Sequence, residues 1–362
     1  MKWRVLGGVL TVIVIALVAG VITRLAADDE PGGDGARLLL GVQDDALLTS
    51  DEKNAFPAAQ GLGPEIIRYN LPWDEVAPFE PGDGTDPTDP IYAWAAPDKI
   101  VAVAARLRAE VVFSIVNSPP WANGNQPKQF APTDLDALRD FCTAAATRYR
   151  GKVGRYTIGN EVNRGQYFRP QGAGGRDAPR LYAAIARECW AGIRAGDPTA
   201  KVAIGSVASR GAEGGLAPLK FLQRYREAGG PEPDAVALQP YMLGLPPEYL
   251  PDELDPDGAI TLSNLDLLQG ALRDAYGREV PIWLTEFAYR TAGSPNGEIS
   301  PERQKVLLED TVGLIRDHYP YVPMLVWFLI RDESPTSYWR SGLVFFDWRR
   351  KPAFESFTRL AN

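Results

Sequence analysis

Eight short apolar runs alternate with helical patterns along the chain, and this alternation constrains the fold more than any other feature. The runs lie at 37–43, 66–71, 111–116, 155–159, 201–207, 235–239, 281–286 and 324–330. Most are continuously apolar, as strands of a parallel sheet buried on both faces are. Between them, apolar residues recur at helical spacing: Leu135, Leu138, Cys142, Ala145 and Tyr149, then Tyr182, Ile185, Cys189 and Ile193, then Leu308, Thr311, Val312 and Ile315. Helix starts are marked by Thr133 before Asp134, by Ser263 before Asn264 and by Ser300 before Pro301, while Gly151, Gly196 and Gly229 mark ends. Eight β-then-α units in succession predict an α/β chain folded as a closed (β/α)8 TIM barrel over 37–362. An open doubly wound sheet is the competing arrangement, but no glycine-rich nucleotide loop follows the first run.

The first 36 residues read differently. Lys2 and Arg4 precede an apolar run at 5–22, and Arg24, Asp28, Asp29 and Glu30 follow it. A positive flank before an apolar stretch places the N-terminus in the cytoplasm and the rest outside. The run is near the lower limit for spanning a bilayer and long for a signal-peptide core. Residues 1–27 are therefore read as a signal anchor, with a cleaved signal peptide as the alternative, and 28–36 as a flexible linker. The expected location is the cell membrane, single-pass with the folded part outside the cytoplasm, or secretion.

The scarce residue types narrow the chemistry. The chain has one histidine, His318, and two cysteines, Cys142 and Cys189. A nucleophile–histidine site would have to use His318, which stands in IRDHYP far from any nucleophile-like motif. A Cys/His zinc site cannot be assembled, so no metal or other cofactor is expected. The net charge is −8 with Lys and Arg scattered, which argues against a nucleic-acid partner. The two cysteines fall on successive helical patterns. They read as buried, apolar-behaving thiols, with a helix-to-helix disulfide as the alternative outside the cytoplasm. Catalysis in such a chain rests on carboxylates, hydroxyls and amides.

Two strands end in glutamate: the fourth runs into Gly159-Asn160-Glu161, the seventh into Leu284-Thr285-Glu286. In an eight-stranded ring these strands lie on roughly opposite sides, and their end residues face a shared mouth. Each carboxylate directly ends an apolar strand, where an idle charge would be costly to bury. Facing carboxyl groups supply what glycosidic cleavage needs, a proton for the leaving oxygen and an anion to attack the anomeric carbon or activate water.

With these residues in place the chain resembles clan A of the glycoside hydrolases, most closely family 39, with cellulase-like family 5 as second choice. The resemblance rests on Asn160-Glu161, Glu286, Arg68 at the end of strand 2, Tyr241 after strand 6, Trp327 in strand 8 and the Ser118-Pro119-Pro120-Trp121-Ala122 loop. It implies Glu161 as acid/base and Glu286 as nucleophile of a retaining enzyme hydrolysing O-glycosyl bonds of an oligosaccharide or polysaccharide. It further implies Arg68 and Tyr241 on the nucleophile, Asn160 on the sugar 2-hydroxyl, Trp327 as an apolar floor and Trp121 as a wall. Two positions depart from the family pattern: Gln239 stands where a histidine is common, and Gly159 where a tryptophan is. Asp332, Asp44 and Gln43 also fall at strand ends without an assigned role. The competing reading is a catalytically inactive carbohydrate-binding barrel in polysaccharide export or assembly. A third is an adhesion or scaffold ectodomain.

Overall fold

The computed structural model describes residues 37–48, 52–242, 244–249, 258–291 and 299–362. The eight apolar runs become β1 (Leu39–Gln43), β2 (Ile66–Pro72), β3 (Glu110–Val116), β4 (Arg155–Ile158), β5 (Lys201–Ala208), β6 (Ala235–Gln239), β7 (Ile282–Phe287) and β8 (Met324–Phe328). They form one closed barrel in sequence order. All pairs are parallel, and β8 closes onto β1 from Leu39 opposite Met324 to Gln43 opposite Phe328. A helix of ten residues or more follows each strand, β2 being followed first by a single helical turn at Trp73–Val76: α1 (Glu52–Leu62), α2 (Ala95–Leu107), α3 (Leu135–Arg148), α4 (Asp177–Gly196), α5 (Pro218–Glu227), α6 (Leu265–Tyr276), α7 (Pro301–His318) and α8 (Pro352–Ala361).

Helix boundaries follow local hydrogen bonding. Asp134, not Thr133, caps α3 by accepting from the Ala137 amide at 2.9 Å. Thr261 rather than Ser263 opens the turn into α6, through a reciprocal box with Asn264. Ser300 caps α7 as expected, accepting from the Arg303 amide at 3.1 Å with Pro301 just inside.

The strand pleat divides the core in two. Ile66, Val112, Ala203, Ala235, Ala237, Trp283, Met324 and Val326 pack together inside the barrel. The alternate residues, such as Ile67, Leu71, Phe113, Tyr156, Leu284 and Trp327, pack outward with the helices. Burial on both faces is why the runs look uniformly apolar in sequence. Toward the strand C-termini the interior turns polar: Gln43, Arg68, Ser114, Thr157 and Gln239 are all buried. The fold thus builds a polar floor under the mouth, at the end where barrel active sites sit.

Cys142 on α3 and Cys189 on α4 are joined in a disulfide, so the reading as two free thiols does not hold. Both lie on the apolar stripes of packed neighbouring helices, which brings their Cα atoms to 5.3 Å, inside the range a disulfide requires. Among the described residues no helix is long and apolar enough to cross a membrane. The apolar run at 5–22 and the linker at 28–36 lie outside the described residues.

Candidate active site

Arg68 organises the floor of the mouth. It projects inward from β2, is 1% exposed and has four acceptors. Its Nε donates to Ser114 Oγ at 2.9 Å, and Ser114 also accepts from Thr157 Oγ1 at 2.7 Å. Nη1 donates to Gln43 Oε1 and to Glu286 Oε2, the latter at 2.9 Å in an ion pair. Nη2 donates to Asn160 Oδ1 at 2.8 Å. One planar cation therefore ties the ends of β1, β2, β3, β4 and β7 into a fixed geometry.

Glu286 also accepts from the Tyr241 hydroxyl, at 2.7 Å through Oε1. Burial, then the Glu286 charge, pushes that phenol well above its usual range, so it stays a donor. Gln239, in the place where the family pattern often has a histidine, donates from Nε2 to Asn160 Oδ1 at 2.6 Å. Two donors on Oδ1 settle the orientation of the Asn160 amide and leave its Nδ2 as the donor for a ligand.

Glu161 stands beside this network. Its backbone is in the left-handed region, φ 42°, a conformation that costs about 1–3 kcal/mol in a non-glycine residue and is kept only where the surroundings enforce it. The preceding Gly159 has φ +83°, and a Cβ there would lie 2.4 Å from Val162 Cγ1. No tryptophan fits at 159 with this backbone, which accounts for that departure. Glu161 Oε2 accepts from Arg164 Nη1 at 2.8 Å. Even so, burial and then the Glu286 charge push its carboxyl up to about 7, with Arg164 and Arg68 pulling the other way. The site thus holds one carboxyl that gives up its proton only near neutrality, beside a second bound by Arg68 and Tyr241.

The aromatic residues are arranged differently from expectation. Trp327 does not floor the mouth. It is fully buried in the outer layer against Phe287 and Tyr289, at ring distances of 6.2 and 6.4 Å, with Nε1 bonded to the Ser341 carbonyl at 2.9 Å. The pleat turns Val326 inward and Trp327 outward, leaving Phe328 as the next inward aromatic. Half-buried Trp339, on the loop after β8, lies 4.9 Å from the Phe328 ring and 5.5 Å from that of Tyr241. This loop is pinned at its base. Asp44 accepts from the Ile330 and Arg331 amides at 2.9 and 2.8 Å, and a buried Lys351–Asp332 ion pair of 2.7 Å reaches Thr291 after β7 at 2.9 Å. Trp121 is half-buried in the turn after β3, its edge against Trp73 and its Nε1 on the Ala77 carbonyl at 2.9 Å.

A cavity of about 630 Å³ opens beside the network, lined among others by Asn70, Asn117, Ser118 and Tyr167. Asn160 also lines it, whereas neither Glu161 nor Glu286 does. Among the described residues no cluster of His, Cys, Asp or Glu could hold a metal ion.

Solved structures with the same barrel resemble this chain. The chain superposes on a family 39 glycoside hydrolase from the gut symbiont Bacteroides cellulosilyticus WH2 with a TM-score of 0.69 and 18% identity, covering 90% of this chain and 64% of that one. It has the barrel of the glycoside hydrolases of families 39 and 5. A glucosidase from Croceicoccus marinus gives a TM-score of 0.67 at 15% identity, with 90% and 67% covered. A GH5_18 protein from Streptomyces cattleya, solved in complex with GlcNAc, gives 0.63 at 15% identity, with 90% and 79% covered. The chain thus spans just under two thirds of the length of the family 39 protein. No family model matches the sequence, and no curated protein does. The resemblance expected from the strand-end residues is borne out in the fold, and the structural neighbours are glycoside hydrolases.

Sequence reasoning did not single out Arg164, Trp339 or Phe328. Arg164 stands three residues after Glu161, and that spacing was its available signal. Trp339 sits in a loop without periodicity, where sequence carries no sign of which way a ring faces.

Proposed function

We propose that the chain is a retaining β-glycosidase hydrolysing O-glycosyl bonds of an oligosaccharide or polysaccharide, with Glu161 as acid/base and Glu286 as nucleophile. The observation that carries this reading is the Arg68-centred network. It links Glu286 to Asn160, while the carboxyl of Glu161, next in sequence, is pushed up to about 7 by burial first and the Glu286 charge second. A carboxyl raised toward neutrality beside a second one held by a cation is what such chemistry needs.

In the first step an oxygen of Glu286 bonds to the anomeric carbon. The bond from that carbon to the leaving oxygen breaks, and the Glu161 proton passes to that oxygen. In the second, the Glu161 anion takes a proton from water, the water oxygen bonds to the anomeric carbon, and the ester to Glu286 breaks. Both residues return to their starting states. Arg68 and Tyr241 orient the nucleophile, and Asn160 Nδ2 donates to the sugar 2-hydroxyl. Phe328 and Trp339 take the place of Trp327 as the apolar floor for the sugar ring. Trp121 and the cavity beside Asn160 would meet further sugar units.

The Cys142–Cys189 disulfide supports action outside the cytoplasm, where such bonds persist. With the apolar run at 5–22 this gives a membrane-tethered or secreted enzyme whose substrate is an extracellular or cell-envelope glycan.

The test is a panel of β-linked oligosaccharides and aryl β-glycosides, with the anomer formed first read by proton NMR. A β-product appearing first is expected. An α-product appearing first would overturn the double displacement, and binding of sugars without any cleavage would overturn the enzyme assignment.

A further inference from the structure

One cation beside Glu161 has no part in the mechanism above. Arg164 Nη1 donates to Glu161 Oε2 at 2.8 Å, and its Nη2 lies 3.4 Å from Glu213 Oε1 on the loop after β5. The other Glu213 oxygen accepts from the Gln166 amide at 2.7 Å. A single guanidinium is thus shared between the proposed proton donor and a second carboxylate that the backbone holds in place.

The two loops are shaped to keep this arrangement. Arg164 bridges to Ala212, and the Gly165 amide donates to the Ala212 carbonyl at 3.3 Å. Asn163 staples the β5 loop: Nδ2 donates to the Ala208 and Leu216 carbonyls at 3.1 and 3.0 Å, and Oδ1 accepts from the Ala208 amide at 2.8 Å. A Cβ at Gly165 would lie 2.4 Å from the Glu213 carbonyl oxygen, and one at Gly215 only 1.8 Å from that of Asn163. The loops meet this closely because both positions are glycine. The Arg164 guanidinium also lies 5.7 Å from the Tyr167 ring centre, which restricts its swing. An incidental surface ion pair has no such support.

We propose that Arg164, shared between Glu161 and Glu213, is a positioning residue that draws Glu161 into its ionised form once Glu286 is esterified, and so serves the step in which Glu161 acts as base. This rests on the hydrolase reading. The charged and titratable groups facing Glu161 are Glu286 from β7, Arg68 from β2, Tyr241 after β6, and Arg164 and Tyr167 from its own loop, with Glu213 acting through Arg164. Burial and Glu286 favour the proton, whereas Arg164 is the strongest group opposing it. Esterification removes the Glu286 charge and leaves Arg164 in place. Glu161 then loses its proton more readily, as the incoming water requires.

The experiment follows the Glu161 carboxyl by carbon-13 NMR in the full chain, assigned with Glu161→Gln, and adds steady-state kinetics on an aryl β-glycoside. In Arg164→Met the titration midpoint is expected to rise by about one unit or more, as loss of an adjacent cation implies. Arg164→Lys should restore part of it. In Glu213→Gln, where Arg164 is no longer shared, the midpoint should fall. In Arg164→Met, kcat should fall more than kcat/KM, because the second half-reaction is the one slowed. An unmoved midpoint in Arg164→Met, or a rise in Glu213→Gln, would overturn the proposal. Should Arg164→Met fail to fold, the Glu213→Gln shift decides. Cleavage with unmoved midpoints counts against Arg164 alone, whereas moved midpoints without cleavage of any glycoside count against the hydrolase reading and the base step with it.

Discussion

Replacing Glu161 with glutamine is expected to stabilise the fold at alkaline pH and to leave it unchanged in acid. The Glu161 side chain is 8% exposed, and its carboxyl is raised from 4.5 to about 7, first by burial and then by Glu286. A folded-state value above the unfolded one means that the folded chain binds the proton more tightly. The stabilisation this brings is complete below about pH 4.5 and is lost as pH rises through about 7. Glutamine has the size of the neutral acid and keeps at every pH what the acid loses. The rise of 7 − 4.5, or about 2.5 units, corresponds to about 3 kcal/mol at 1.36 kcal/mol per unit. Urea denaturation of both proteins from about pH 4 to about pH 9 measures the difference, with the midpoint shift converted through a common slope. The gap should be near zero in acid and open to about 2–3 kcal/mol above neutrality. A gap that stays flat with pH, or a variant that is the weaker protein in alkali, would refute the reasoning that the site keeps Glu161 protonated. The same variant should lose hydrolysis by about 10²-fold or more, the usual share of a general acid.

Other perturbations separate structural from catalytic roles. Arg68→Met strips partners from Glu286, Asn160 and Gln43 and should cost about 3–5 kcal/mol in denaturation as well as activity. Replacing Cys142 and Cys189 together by alanine opens a link across 47 residues, worth up to about 4 kcal/mol on chain-entropy grounds. kcat/KM should not change, because the link lies between outer helices. Trp327→Ala should destabilise by about 3–5 kcal/mol as a core truncation, whereas Trp339→Ala should raise KM with a smaller loss of stability. Hydrolysis should survive chelation by EDTA, since the proposed steps are carried by Glu161 and Glu286 alone.

The barrel was legible because its strands are buried on both faces and its helices on one. Continuous and 3.6-period patterns therefore alternate, and each strand lies within two residues of its apolar run. The polar anchors were legible for a related reason. Arg68, Glu161 and Glu286 are charges at the ends of apolar strands, and such charges persist only with partners. What failed was parity. Trp327 and Phe328 are adjacent in an apolar run, and which of them faces the interior depends on a register that β8 takes from β1 and β7. Trp339 and Glu213 reach the site through loop packing, and Glu213 meets Arg164 across 49 residues. No local pattern encodes such a meeting. The disulfide was left as an alternative because two stripes show that helices pack inward, without showing that their cysteines face each other.

The most direct measurement is covalent trapping. The chain would be incubated with a panel of 2-deoxy-2-fluoro β-glycosides bearing activated leaving groups, digested, and mapped by mass spectrometry. One sugar attached to Glu286, absent in Glu286→Gln, is the expected result. A label on another carboxylate, or turnover of a matching substrate by Glu286→Gln at near-native rate, would contradict the assignment of Glu286 as nucleophile.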